Sequence, residues 1–162
     1  MTAPRWRPDN LQKHYDKRIQ KDDKCWRELL NINRSMNKDE YEKESYQAYD
    51  KGALEYEAED LRHPHSLRRV DKRTVFIAAS LDRKRMITCY HKHYDGRHEV
   101  GSAVSRLENV MIYIDDLDDS IDDGNLNLYR ISAVSENLSG NQKKKYINPR
   151  LKILRQKCSK DR

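Results

Sequence analysis

Cysteine is scarce in this chain, and the few cysteines are far apart. The 162 residues contain three of them, Cys25, Cys89 and Cys158, without a CxxC pair. A disulfide framework or a thiolate zinc site needs an even or closely spaced set, so the pattern argues against both. The usage is typical of a reduced, intracellular protein.

Long apolar runs are also missing. Residues 1–20 have no apolar core of the kind that a secretory signal requires, and the chain has no internal repeat. No stretch approaches the roughly 20 apolar residues that a membrane span needs. We therefore expect a cytoplasmic protein without a membrane partner.

Charge is abundant instead. Charged residues make up 37% of the chain and the formal net charge is +6, with a mean hydropathy of -1.13. This length predicts one domain with a compact core, and the polar remainder predicts much solvated surface or tail. The positive charge favours polyanions, phosphate-bearing ones first, although simple solvation by Lys and Arg would give the same values.

The N-terminal region has the periodicity of an amphipathic helix. From Asn10 to about Asn31 the apolar residues recur with a 3.6-residue repeat, which Asp22 interrupts. One continuous helix and two shorter helices fit this pattern equally well. Either version places four basic side chains along the edge of the buried side: His14, Lys17, Arg18 and Lys21.

A second helix is predicted from near Asn37 to about Asp60. Ser35 or Asn37 can cap it, and the acidic residues that follow suit the positive end of its dipole. We interpret its apolar face as a packing surface rather than as a row for base stacking. That face comprises Tyr41, Ser45, Ala48, Tyr49, Gly52 and Tyr56.

The helical region ends at His63-Pro64-His65, because proline disfavours helix in the residue before it. Segments 74–80 and 85–94 predict a β-hairpin, and segments 109–114 and 126–134 are further strands. The prediction is an α+β fold with N-terminal helices on an antiparallel sheet of about four strands. It places one domain at 1–136, with helices over about 10–60 and the sheet over about 73–135.

Two charged segments do not belong to the predicted helices and strands. The acidic run at 115–124 fails the calcium-loop spacing, since Arg130 stands where the bidentate Glu belongs, and a solvated loop is the simpler interpretation. The basic stretch 137–162 is either a flexible tail that contacts phosphates or a docked helix.

The first helix carries the best candidates for chemistry. His14 and Arg18 are one turn apart and Lys17 is nearby, so the three can face one phosphate. Cleavage of RNA without a metal needs a base, an acid and cations, and histidine titrates in the range required for the proton transfers. The alternative interpretation of His14 is an ordinary surface histidine.

The hairpin offers a second group, with a geometric conflict. In an extended strand Thr88, Tyr90 and Lys92 face one side, whereas Cys89, His91 and His93 face the other. Both sets reach one cleft only if a bulge or the strand end redirects a side chain. A zinc site at His91-x-His93 with His98 or the His63/His65 pair is a weaker alternative.

Three segments carry a resemblance to a known family: LQKHYDKRIQKDDKCWRELL, NKDEYEKESYQAY and TVFIAASLDRKRMITCYHKHY. Across about residues 10–94 the chain resembles phage and polymorphic-toxin members of the barnase/colicin/RelE-like ribonuclease superfamily. The resemblance implies that His14 transfers protons, Lys17 contacts phosphate and Thr88 orients substrate, with Glu40-Tyr41 in a supporting helix.

The chain departs from that family at one position. Where many relatives carry a second histidine, it has Arg18, which can stabilise an oxyanion but is too basic to shuttle protons. His91 or His93 would then supply the acid. Alternatively, the chain has lost activity and retains binding alone.

The sequence therefore predicts a phage or mobile-element protein that binds RNA, with tRNA as one candidate, and cleaves it without metal or cofactor. An immunity or host target protein is a further candidate partner. The alternative is a non-catalytic phage protein that inhibits a host nucleic-acid enzyme or masks nucleic acid. The candidate catalytic residues are His14, Arg18, Thr88, His91 and His93, and the candidate RNA-binding residues are Lys13, Lys17, Lys21, Arg85, Tyr90 and Lys92.

Overall fold

The computed structural model describes residues 3–91, 119, 121 and 123–134. The fold is α+β, with two helices packed on an antiparallel sheet, as the sequence predicts. Several predictions lie outside the described residues. These are the strand at 109–114, most of the acidic run, the basic stretch 137–162, and the side chains of Lys92 and His93.

Among the described residues the sheet has five strands, compared with the expected number of about four, in the order β4-β3-β2-β1-β5. The C-terminal strand, β5, pairs with the N-terminal strand, β1, and forms one edge of the sheet. The strands are β1 (Leu54–Asp60), β2 (Ser66–Val70), β3 (Val75–Ala79), β4 (Met86–His91) and β5 (Leu126–Val134). The predicted hairpin corresponds to β3 and β4, and the predicted strand at 126–134 corresponds to β5, so both are confirmed.

The first helix, α1, spans Pro8–Leu30 with a kink at Asp22, whose φ of -128° and ψ of 19° are not helical. The segment predicted as either one continuous helix or two shorter helices is thus a single helix that is kinked at Asp22, the residue that interrupts the apolar pattern. Pro8 suits the first helical position, because its missing N–H has no helical acceptor there. Asn31 ends the helix at φ 56°, a left-handed conformation that asparagine tolerates.

The second helix, α2, spans Lys38–Asp50 and begins with a capping box. The Asn37 side chain accepts a hydrogen bond from the Glu40 backbone N–H at 2.8 Å, and the Glu40 carboxylate accepts one from the Asn37 N–H at 2.8 Å. Two N–H groups that the first turn leaves without helical acceptors are thereby satisfied. The prediction of an Asn37 cap is confirmed.

The predicted end of this helix near Asp60 is wrong. The helix ends at Asp50, and Leu54–Asp60 is strand β1. Gly52 lies at the junction, where a Cβ atom would come within 3.0 Å of the Arg69 side chain. The strand β2 was also not predicted, because its charged residues weaken the apolar alternation on which strand prediction depends.

The helices cover one face of the sheet and form a core with it. Trp26, Tyr41 and Ile77 are completely buried there, and the Tyr41 hydroxyl donates a hydrogen bond to the Cys89 carbonyl at 2.6 Å. Tyr41, Ser45, Ala48 and Tyr49 are all buried, which confirms the packing role of that helix face. Tyr56 belongs instead to β1. Among the described residues, no helix has the length and apolarity to cross a membrane.

A largely buried cluster of charged side chains around Glu55 connects β1, β2, β5 and the β3–β4 loop. The Glu55 carboxylate on β1 accepts hydrogen bonds from Arg69 on β2, Arg83 in the β3–β4 loop and the Ser132 hydroxyl on β5. Burial raises the pKa of Glu55, but these donors outweigh it and lower the pKa to about 2. Glu55 therefore remains ionised in the folded protein at any ordinary pH.

Candidate functional site

A cleft of about 810 Å³ opens between α1, the loop that joins β1 to β2, and the sheet. The helix contributes basic side chains, the loop contributes polar ones, and the sheet contributes an aromatic floor. The lining residues are Lys13, His14, Lys17, Arg18, Tyr56, Asp60, Leu61, Arg62, His63, Pro64, Arg68, Phe76, Ile87, Thr88, Tyr90, Asn125 and Leu126.

His14 stands on the helix side of this cleft and is held by the sheet. Its Nδ1 lies 3.2 Å from the Thr88 hydroxyl oxygen, and its ring centroid is 5.7 Å from that of Trp6. Because Thr88 engages Nδ1, the other ring nitrogen, Nε2, is the one left for a ligand. Partial burial lowers the pKa of His14 to about 4, assisted by the positive charges of Lys13, Lys17 and Arg18 and by His63. His14 is therefore neutral at pH 7.

His63 lies on the opposite side, in the β1–β2 loop, and Asp60 orients it. Its Nδ1 is 3.2 Å from Asp60 Oδ1, which also accepts hydrogen bonds from the backbone N–H groups of Arg62 and His63 at 2.8 and 2.7 Å. Partial burial lowers the pKa of His63, whereas the Asp60 carboxylate opposes that fall. An imidazole bonded in this way presents Nε2 away from the carboxylate.

Asp60 also joins this histidine to the floor of the cleft. Its Oδ2 accepts a hydrogen bond from Arg68 Nη1 at 3.0 Å. Burial raises the pKa of Asp60, but the two backbone donors and the Arg68 guanidinium outweigh it, so the pKa is lowered overall. Asp60 is therefore an anion at neutral pH and stabilises positive charge on His63.

The remaining cations flank an aromatic surface. Arg18 is anchored by Asp22 at 2.7 Å and lies over the Tyr90 ring, 5.9 Å from its centroid. Tyr90 in turn packs on Phe76, with ring centroids 4.4 Å apart. Burial lowers the pKa of Lys17, and the neighbouring Lys21 and Arg18 lower it further. The cleft thus combines two histidines and several cations with an apolar floor.

The structure brings together part of the predicted site. Lys13, His14, Lys17, Arg18, Thr88 and Tyr90 all line the cleft. The expected conflict between the two faces of β4 is real, because Thr88 and Tyr90 face the cleft whereas His91 lies on the helix side. His91 is 3% exposed and contacts Trp26 edge-on at 6.2 Å, so it is not brought to His14.

Two other predicted contacts do not line the cleft. Lys21 and Arg85 are exposed but are not among the lining residues, and Arg85 forms a β-bridge with Arg5. A register shift between β3 and β4 places Ile87 and Thr88 together on the cleft side, so a bulge is present, but it does not redirect His91.

Sequence reasoning missed Asp60 and Arg68 as site residues, and it considered His63 only as a ligand of the zinc alternative. The signal was present in the alternation of Leu54, Tyr56 and Ala58 with three glutamates, which has the period of a strand. A strand ending at Asp60 followed by His63 and a proline predicts a turn that presents a histidine. The assignment of this segment to a helix concealed that arrangement.

The described residues do not assemble a metal site. In segments 3–91 and 123–134, and at residues 119 and 121, no group of three or more His, Cys, Asp or Glu side chains is placed to hold a metal ion. His63 and His91, two members of the zinc alternative, lie on different sides of the sheet. No protein-family model, curated protein or solved structure matches the chain.

Proposed function

We propose that this protein is a metal-independent endoribonuclease that cleaves RNA by transesterification. The observation that carries the proposal is the position of His14 and His63 in one cleft with Lys17 and Arg18. Two imidazoles and adjacent cations are the groups that general acid–base cleavage of a phosphodiester requires. The resemblance of residues 10–94 to the barnase/colicin/RelE-like superfamily is part of the same proposal and rests on the motifs.

The environments of the two histidines assign their roles. His14 has a pKa of about 4 and is neutral at pH 7, which suits a base that removes the proton of the ribose 2'-hydroxyl. Burial lowers the pKa of His63 as well, but the bonded Asp60 carboxylate opposes that fall, which favours His63 over His14 as the acid. The second histidine of this site thus comes from the β1–β2 loop, and Arg18 need not transfer a proton.

The reaction follows from these roles. His14 accepts the 2'-hydroxyl proton while the 2'-oxygen forms a bond to phosphorus. The bond from phosphorus to the 5'-oxygen breaks, and His63 donates its proton to that oxygen. The products are a 2',3'-cyclic phosphate and a 5'-hydroxyl end. Lys17 and Arg18 balance the negative charge that builds on the phosphate oxygens.

The reaction can be tested directly with purified protein. A single-stranded RNA is incubated with the protein in EDTA, next to a DNA strand of the same sequence. We expect cleaved RNA with 2',3'-cyclic phosphate and 5'-hydroxyl ends by mass spectrometry, and intact DNA, because DNA has no 2'-hydroxyl. Intact RNA, or equal cleavage of both strands, would contradict the proposal.

The pKa values predict an acidic optimum. The base must be deprotonated, so kcat/KM falls as the pH decreases through the His14 pKa of about 4. The acid must be protonated, so kcat/KM also falls as the pH rises through the His63 pKa, which lies below 6.5. We expect a bell-shaped profile of kcat/KM between these limits, measured with a fluorogenic RNA substrate at constant ionic strength. A plateau extending above pH 8 would contradict the assignment of His63.

Thr88 is a positioning residue in this scheme, since its hydroxyl contacts the His14 ring. Thr88→Val keeps the shape of the side chain and removes the hydroxyl. We expect kcat to fall by about 10-fold with a nearly unchanged KM, because the imidazole loses its orientation while the cations still bind RNA. Thr88→Ser restores the hydroxyl and should recover most of kcat. An equal loss in Thr88→Val and Thr88→Ser would contradict this role.

A further inference from the structure

Arg68 on β2 has a donor without an acceptor at the floor of the cleft. Its side chain is 2% exposed, and Nη2 has no hydrogen-bond partner among the described residues. The rest of the guanidinium is fixed, since Nε donates to the Ser66 hydroxyl at 2.9 Å and Nη1 donates to Asp60 at 3.0 Å. These two bonds determine the direction of Nη2, because the guanidinium is planar.

A buried hydrogen-bond donor without an acceptor, such as Arg68 Nη2, lowers the stability of the folded protein. A charged group without a hydrogen-bond partner destabilises the folded protein more than a neutral one does. Asp60 does not satisfy it, since its Oδ2 accepts the hydrogen bond from Nη1 and forms none with Nη2. The site is therefore prepared for a ligand that brings its own acceptor.

The surroundings define the chemistry of that ligand. Lys17, Arg18 and Arg62 line the same cleft and add positive charge around its rim. Arg68 also lies over the Phe76 ring, 5.8 Å from its centroid, so the cation rests on an apolar surface. A cationic N–H donor beside further cations favours an anionic oxygen as its acceptor, such as an oxygen of a phosphate group.

We propose that Arg68 Nη2 is the innermost donor of an oxyanion site at the floor of the cleft, and that its ligand is a phosphodiester of the RNA strand. The identity of the ligand rests on the proposed function, whereas the site itself does not. Asp60 then orients both His63 and Arg68 towards the same phosphate, because its carboxylate is hydrogen-bonded to each of them.

Phosphate binding tests the site with a conservative variant. Arg68→Lys keeps the charge and the partner for Asp60 but removes the Nη2 donor. We expect the Kd for inorganic phosphate, measured by titration calorimetry, to rise by about 10-fold or more. The matched control is Arg5→Lys, an exposed arginine that does not line the cleft, and its Kd should remain close to that of the unmodified protein. Equal Kd values for the two variants would overturn the proposal.

A crystallographic measurement decides the question if Arg68→Lys does not fold. Crystals of the unmodified protein are soaked with tungstate, whose anomalous signal marks the anion. The proposal requires tungstate within hydrogen-bond distance of Nη2. An anion elsewhere in the cleft, or no anion at all, would overturn it.

A 2'-deoxydinucleotide identifies the ligand, because its phosphodiester cannot be cleaved by this route. It should bind with the same dependence on Arg68 as inorganic phosphate. If only inorganic phosphate depends on Arg68, the assignment to a diester of the strand fails. Phosphate bound at Arg68 in a protein that leaves RNA intact would refute the nuclease and retain the site. Cleavage that is indifferent to Arg68→Lys would retain the nuclease and refute the RNA phosphodiester as the ligand of Arg68.

Discussion

Replacement of His14 with alanine is expected to reduce RNA cleavage by about 10³-fold. The variant loses the base that removes the 2'-hydroxyl proton, while Lys17 and Arg18 still bind the strand. The loss should therefore appear in kcat, with little change in KM, when single-turnover and steady-state rates are compared. His63→Ala should have an effect of similar size, and the double variant should lose little more, because the two histidines act as a unit.

His65→Ala is the matched control for these variants. His65 is in the same loop as His63, but it stacks on Tyr129 with ring centroids 4.1 Å apart and does not line the cleft. We expect its cleavage rate to remain near that of the unmodified protein. Far-UV circular dichroism of each variant establishes that the fold is intact. Cleavage by His14→Ala at the unmodified rate would eliminate the proposed mechanism.

Replacement of Glu55 with alanine is expected to cost about 3–5 kcal/mol of the free energy of unfolding. The side chain is 7% exposed and accepts hydrogen bonds from Arg69 and Arg83, so its removal leaves two guanidinium groups without their carboxylate. The measurement is urea unfolding at pH 7, followed by circular dichroism. A loss below about 1 kcal/mol, the range of surface pairs, would show that the cluster contributes little.

The pH dependence of stability provides a second readout of Glu55. Its pKa is lowered from 4.5 to about 2 on folding, so the stabilisation is complete above pH 4.5 and is lost as the pH falls towards 2. A shift of this size corresponds to about 3 kcal/mol. The unmodified protein should lose this contribution over that interval, and Glu55→Ala should not.

Glu40→Gln is a suitable control for the Glu55 experiments. Glu40 pairs with Arg34 at the surface, and glutamine preserves the capping box of α2. Little change in the free energy of unfolding is expected. A loss as large as that of Glu55→Ala would mean that burial of the pair is not the cause.

Local signals in the sequence predict much of the fold. The kink at Asp22, the cap at Asn37 and the β3–β4 hairpin each depend on a few neighbouring residues, and each is found where the pattern indicates. The strand β1 was misassigned because residues such as Glu57 and Glu59 are tolerated equally well on a helix surface. Its strand conformation is stabilised by pairing with β2 and β5, and β5 lies more than sixty residues away in the sequence.

The sequence predicts the part of the candidate site that lies on α1, but not the part in the β1–β2 loop. His14, Lys17 and Arg18 share a helix, so their proximity follows from the helical repeat alone. The contact of His14 with Thr88 agrees with the expected convergence on the sheet. The turn that presents His63 has a local signal, but the approach of that turn to His14 depends on how the β1–β2 loop lies over the sheet, and no local pattern specifies that arrangement.

The contact between His14 and Thr88 has a consequence for the order of events during synthesis. The two residues are separated by 74 positions, so the ribosome releases the helix long before the strand that holds its imidazole. A nascent or prematurely terminated chain that ends before β4 contains both histidines without the hydroxyl that fixes the first. In such fragments the cleft itself is incomplete, since Ile87, Thr88 and Tyr90 line it from β4.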